Sequence, residues 1–151
     1  MMIIFRLSIT NGGRKKAQYL KSLNVFKEFG ENNFWYSRIV PSDMELISVH
    51  NNAKVATDVY FCTHGVLHDL FNDDPNLRGD TRFFGEITLY DNVFVGAKST
   101  IMYGVKIDPN AIVAANSKDV PEGTVVGGNP ARIIGRYEDV ANERLQYSQV
   151  K

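Results

Sequence analysis

A six-residue period leaves this chain very few folds to choose from. Leu89, Val95, Ile101, Ile107 and Val113 are aliphatic and stand six apart without a slip. Four residues after each come Val93, Ser99, Val105, Ala111 and Ser117, all small or β-branched. Val49, Val55 and Phe61 repeat the spacing upstream, with Ala53 and Val59 at the same offset. Turn-forming residues lie between them: Asn51-Asn52, Asp91-Asn92, Gly104 and Asp108-Pro109-Asn110. Six is neither the 3.6-residue period of a helix nor the alternation of a long strand. It fits a short strand closed by a tight turn, repeated, with one aliphatic and one small residue inward each time. Stacking such units buries the aliphatic column continuously and pairs each backbone segment with the coils above and below. The spacing therefore predicts an all-β chain wound as a parallel β-helix.

Two segments break the period. Ala17, Leu20 and Leu23 fall at helical spacing after Gly12-Gly13, which predicts a short helix over 14–24 within a lead-in of residues 1–30. From Gly65 to Glu86 the repeat is lost in a polar, turn-rich stretch, Asn72-Asp73-Asp74-Pro75-Asn76 and Arg78-Gly79-Asp80. A loop that long inside a compact domain is usually functional. The coil is expected over 31–128 with this loop protruding at 65–86. A helical tail is expected over 129–151, because Ala131 to Tyr147 holds no proline and no interior break except Gly135.

At 151 residues the chain suits a single domain that can bury a core without metal or disulfide. Its 17 basic and 17 acidic side chains give no net charge, against the cationic surplus a nucleic-acid binder needs. One cysteine, Cys62, excludes an internal disulfide and a multi-cysteine zinc cage. No apolar run is long enough to span a membrane. The start, Met1-Met2-Ile3-Ile4-Phe5-Arg6, lacks the cationic lead and apolar length of a secretory signal, so a cytoplasmic protein is expected.

The second half carries Val95-Gly96-Ala97, Gly104-Val105-Lys106-Ile107, Lys118-Asp119-Val120-Pro121 and Gly128-Asn129-Pro130-Ala131-Arg132. These segments resemble the hexapeptide-repeat acyltransferases, a left-handed parallel β-helix family that includes galactoside and maltose acetyltransferases. Arg14 to Asn24, Glu45-Leu46-Ile47, Asn51-Asn52 and Thr63-His64 resemble the branch that acetylates sugars for cell-surface polysaccharides. The resemblance implies a homotrimer with active sites at subunit interfaces, acetyl-CoA between neighbouring coils, a saccharide acceptor and no metal. It implies a catalytic histidine near the base of a protruding loop, which His64 matches. Phe94, Ala97, Ala115, Ser117, Lys118, Arg132 and Arg136 match cofactor positions, Phe94 standing where the family carries tryptophan. The early coils, where the family binds sugars, hold Asn33, Trp35, Tyr36 and Asp43, and the loop supplies Asp69.

Three departures qualify the match. Gly65 stands where the sugar-modifying branch has an acid after its histidine, so another carboxylate must orient His64; Asp58 and Asp69 are candidates. About three family residues are missing between Ser117 and Lys118, which shortens the last coil. The loop after His64 is longer than in galactoside acetyltransferases.

The residues fit the chemistry. A neutral imidazole titrates near physiological pH and can take the proton of an attacking hydroxyl. Cationic side chains are needed for the phosphates of CoA despite the neutral total. Aromatic side chains beside amides suit a pyranose, and Trp35 and Tyr36 equally suit capping the apolar end of the coil. Other readings stay open: N-acetylation of a nucleotide-linked amino sugar, a Cys62–His64 nucleophilic pair, and a non-catalytic scaffold. A zinc site of the β-helix carbonic anhydrase kind would need His50, His64 and His68 together, but His64 and His68 are spaced differently from that family's ligand pair.

Overall fold

The computed structural model describes residues 2–66, 69, 72–73, 84–114, 120–128, 131–140 and 142. Two helices lead in, α1 (Met2–Ile9) and α2 (Gly13–Leu23). Short strands follow: β1 (Glu28–Phe29), β2 (Phe34–Trp35), β3 (Ile47–Val49), β4 (Lys54–Val55), β5 (Tyr60–Cys62), β6 (Ile87–Leu89), β7 (Phe94–Val95), β8 (Thr100–Met102), β9 (Lys106–Ile107) and β10 (Ile112–Val113). The chain closes with β11 (Thr124–Gly127) and β12 (Arg132–Arg136). They form three sheets, ordered β1-β3-β6-β9, β12-β11-β10-β7-β4-β2 and β5-β8. From β3 to β10 the chain visits the three sheets in rotation, and all strand pairs but β11–β12 are parallel.

The six-residue period becomes the core through this register. Trp35, Val55, Val95, Val113 and Val126 stack strand upon strand and are all at most 4% exposed. Val49, Leu89 and Ile107 form a second column, and Phe61 and Ile101 a third. The offset positions Ala53, Val59, Val93, Ser99, Val105 and Ala111 are buried too, while Ser117 lies outside the described residues. Burying one such aliphatic side chain is worth about 1.5–3 kcal/mol, so the columns supply most of what holds these short strands.

One corner of the stack is built from amides. Asn32, Asn52, Asn92 and Asn110 have left-handed backbones, with φ of 56°, 58°, 60° and 55°. Asparagine tolerates this conformation better than most residues with a Cβ. Their side chains form a ladder: Asn32 Nδ2 donates to Asn52 Oδ1 at 3.0 Å, Asn52 Nδ2 to Asn92 Oδ1 at 2.8 Å, and Asn92 Nδ2 to Asn110 Oδ1 at 3.0 Å. Arg14 Nη1 from α2 donates to Asn32 Oδ1 at 2.5 Å and ties the helix to the ladder's end.

The structure corrects three expectations. The lead-in holds a second helix, α1, whose Leu7 is buried although the flanking residues are mostly exposed. The tail after Pro130 begins as a strand, not a helix: β12 pairs antiparallel with β11, and among the described residues helical backbone follows over 137–140 and at 142. Its β-branched Ile133 and Ile134 favour extended backbone, and β12 completes backbone hydrogen bonds that β11 would otherwise leave open. Trp35 is 1% exposed and packs among Phe26, Phe29 and Phe61 with ring centroids 5.7, 6.2 and 5.3 Å away. It plugs the apolar end of the stack and offers no face to a sugar. No described helix is long and apolar enough to cross a membrane.

Removing one ladder amide tests the corner. Asn92→Ala loses two side-chain hydrogen bonds, each worth about 0.5–1.5 kcal/mol, and strains a left-handed position by about 1–2 kcal/mol. Urea unfolding should show a loss of about 2–5 kcal/mol. Asn92→Gly, which keeps the backbone, should lose measurably less; equal losses would show that backbone conformation contributes nothing there.

Candidate functional site

The chain leaves the stack immediately after β5 and returns just before β6. An isolated antiparallel bridge joins His64 to Phe84, and the Gly85 N–H donates to the Thr63 carbonyl at 2.9 Å. The return demands glycine at 85, where a Cβ would lie 2.8 Å from the Gly104 nitrogen and 2.9 Å from the Tyr103 Cβ. His64 therefore stands at the base of the inserted segment, its ring 5.4 Å from that of Phe84.

Asp43, just before the short 3-10 turn Met44–Leu46, faces this imidazole. Its Oδ2 lies 2.6 Å from His64 Nδ1 and accepts a hydrogen bond from Thr63 Oγ1 at 2.5 Å. An ionised carboxylate can only accept, so in the neutral ring Nδ1 is the nitrogen that donates and Nε2 keeps the lone pair. Nε2 has no hydrogen-bond partner among the described residues. The side chains are 28% and 21% exposed, so the pair is partly shielded while the ring stays reachable. This is the arrangement of a base oriented by a third group.

Asp43, expected against the acceptor, lies at the imidazole, the place for which Asp58 and Asp69 are the candidates from sequence. Asp58 sits at a left-handed corner, with φ of 55°. The Asp69 N–H donates to the Val66 carbonyl at 3.1 Å within the inserted segment. The signal for Asp43 is coil length: it lies 20 residues before Thr63, the same separation as Asn32 from Asn52 and Asn33 from Ala53. Residues one coil apart stack, so the acid comes from the coil below.

Cys62 Sγ donates to the His64 carbonyl at 3.1 Å, which ties the thiol to backbone and not to the imidazole. Asn33 is 6% exposed; its Oδ1 accepts from the Ala53 N–H at 2.8 Å and its Nδ2 donates to the Gly30 carbonyl at 3.2 Å. Those bonds make it a backbone brace, not an acceptor contact. His50 directly follows β3 in a different sheet, 3.6 Å from Glu28 Oε2 and 4.9 Å from the Tyr90 ring centroid. Among the described residues no group of three or more His, Cys, Asp or Glu side chains could hold a metal ion, and His68 lies outside them.

The expected cofactor residues separate into two groups. Phe94 points outward from β7 and is 43% exposed, Ala97 is exposed at the next corner, and Arg132 and Arg136 are exposed on β12. Arg136 Nη2 bonds Glu138 Oε2 at 3.2 Å, whereas Arg132 has no side-chain partner among the described residues. Ala115, Ser117 and Lys118 lie outside the described residues. Phe94 also borders a cavity of about 490 Å³ with Lys54, Ile112, Tyr137 and Val140, of which only Phe94 was singled out from sequence.

No protein-family model matches the chain. It is 48% identical over 141 residues to "Putative acetyltransferase YvoF" of Bacillus subtilis (strain 168), covering 90% of this chain and 74% of that protein. It is 39% identical over 63 residues to the 2,3,4,5-tetrahydropyridine-2,6-dicarboxylate N-acetyltransferase of Staphylococcus aureus (strain bovine RF122 / ET3-1), covering 40% of this chain and 26% of that enzyme. A maltose O-acetyltransferase structure from Clostridium difficile 630 superposes with a TM-score of 0.62 at 22% identity, over 89% of this chain and 82% of that one. A galactoside acetyltransferase in complex with coenzyme A superposes with a TM-score of 0.60 at 20% identity, over 93% and 80%. At those identities the two structures establish a shared fold.

Nitrogen-resolved NMR of the imidazole tests the geometry directly. In the neutral ring the proton should reside on Nδ1. In Asp43→Ala the Nε2–H form should become dominant, and in Thr63→Val, which leaves the carboxylate in place, the tautomer should shift less.

Proposed function

The chain belongs to the hexapeptide-repeat acetyltransferases, and from that premise we propose that it moves an acetyl group from acetyl-CoA to a hydroxyl of a saccharide, with His64 as general base. The observation carrying this reading is the Asp43–His64 pair at 2.6 Å, with Nε2 unbonded among the described residues at the base of the inserted segment. We further infer a left-handed winding of the three sheets and a cytoplasmic homotrimer whose sites lie between subunits. Three parallel sheets visited in rotation, together with the superpositions on acetyltransferases, support that assembly.

The described residues fit a long, thin, anionic thioester. Arg132 offers an exposed cation, Ala97 a corner with no side chain beyond Cβ, and Phe94 a half-exposed aromatic face. Lys118 and Arg136 would add charge for the phosphates, with Ala115 and Ser117 along the groove. When bound, acetyl-CoA supplies an acyl group already activated for attack by an alcohol.

The chain's own residues handle the proton. His64 Nε2 accepts it from the acceptor hydroxyl as the oxygen attacks, and passes it to the departing sulfur. Asp43 fixes the tautomer that makes Nε2 the basic nitrogen and stabilises the imidazolium while the proton is held. Thr63, 2% exposed, holds the carboxylate by a hydrogen bond largely shielded from water. Asp69, in the segment that begins beside His64, is the remaining candidate for the acceptor.

Free-thiol release from acetyl-CoA, measured over a panel of sugars, tests the reading. His64→Ala should lower turnover by about 10²-fold or more with the CoA titration unchanged; unaltered turnover would remove His64 from the chemistry. Matched sugars bearing a hydroxyl or an amine at one carbon separate O- from N-acetylation, and a protein with no saturable CoA binding would be the scaffold.

A further inference from the structure

Away from the Asp43–His64 pair, a cavity of about 490 Å³ lies beside the six-stranded sheet. Its floor is a row of outward-facing side chains set by strand register: Lys54 on β4 pairs with Phe94 on β7, which pairs with Ile112 on β10. Tyr137 and Val140 from the helical segment after β12 form the far wall, and Asn52 and Asn92 of the amide ladder form the near one. Most of this lining is apolar, and Lys54, Asn52 and Asn92 lie together on the ladder side.

Lys54 decides what that end can bind. Its ammonium donates to the Asn32 carbonyl at 2.6 Å and to Asn52 Oδ1 at 2.7 Å, both neutral acceptors. No carboxylate among the described residues meets it. Its pKa falls below the ordinary lysine value, first through burial and then through the nearby Arg14 guanidinium. A cation held by neutral dipoles, next to a second cation and facing an apolar cavity, is short of negative charge. An ammonium has three donors and two are used. Asn52 Nδ2 and Asn92 Nδ2 each spend one N–H on the ladder, and among the described residues the other has no acceptor. An apolar pocket with a few convergent polar groups and a perturbed titratable residue is the usual form of a small-molecule site.

The geometry points to an anion-binding site in this cavity, with Lys54 and the free ladder N–H groups holding a carboxylate or phosphate while the flat or apolar body of the same ligand lies against Phe94 and Ile112. The charge requirement comes from Lys54, the flatness from the aromatic wall. A carboxylate on the acyl acceptor and a phosphate of the cofactor share this chemistry. The proposal concerns binding alone and stands or falls independently of His64.

Calorimetric titration of the full chain separates the outcomes. Glucuronate and glucose differ by one carboxylate, and CoA and pantetheine by the phosphorylated nucleotide portion. Wild-type protein should bind the charged member of at least one pair at least tenfold more tightly, and Lys54→Met should weaken that charged member by about tenfold while sparing the neutral one. An effect confined to the sugar pair assigns the site to an acidic acceptor; one confined to CoA assigns it to a phosphate. Val140→Trp fills the cavity from its far wall without touching the ladder and should abolish the same binding, which keeps the test valid if Lys54→Met fails to fold. Wild-type protein without a preference in either pair, or both variants binding the charged ligands as wild type does, would overturn the proposal.

Discussion

Strands of two or three residues make too few hydrogen bonds to hold a sheet, so the whole stack depends on every coil turning its corners at the same height. The amide ladder enforces this. Each of its asparagines occupies a left-handed backbone position that costs most residues about 1–2 kcal/mol, and each offsets that cost by bonding the corner above or below. Backbone groups reinforce the same edge: the Glu31 N–H donates to Asn51 Oδ1 and the Asn51 N–H to Asp91 Oδ1, both at 2.8 Å. With the corner fixed, the aliphatic columns align without a choice of register. A shift by one residue would turn Val55 outward and Lys54 into the core.

The same vertical alignment assembles the candidate site. Thr63 and His64 end one coil, Asp43 belongs to the coil below, and stacking places a carboxylate from one under an imidazole from the other. Both hydrogen bonds fall on a single oxygen, Oδ2. The carboxylate is thereby held in one orientation, and the ring tautomer follows from it. With the acid supplied by a neighbouring coil, Gly65 beside the histidine has no carboxylate to provide.

Much of the fold was legible because burial repeats at a fixed interval. Leu89, Val95, Ile101, Ile107 and Val113 are each fully buried, as their spacing required. The helix over 14–24 was legible from Ala17, Leu20 and Leu23, and is observed as Gly13–Leu23. The tail was not, because absence of proline permits a helix without demanding one, and the partner strand β11 settles 132–136 as extended. In the site, His64 could be found from its neighbours along the chain. Asp43 could not, since its relation to His64 is one coil of vertical distance, visible only once the coil length is known. Trp35 and Asn33 carry residue types that suit a sugar, and burial alone distinguishes a plug and a brace from a binding surface.

The bridge between His64 and Phe84 gives the inserted segment fixed exits. Between Asn52 and Asn92 the ladder spans 40 residues where a neighbouring step spans 20, yet its hydrogen bond is no longer than the others. The detour therefore leaves the amide corner in register, so an excursion from one coil is accommodated without a change in the height of the next.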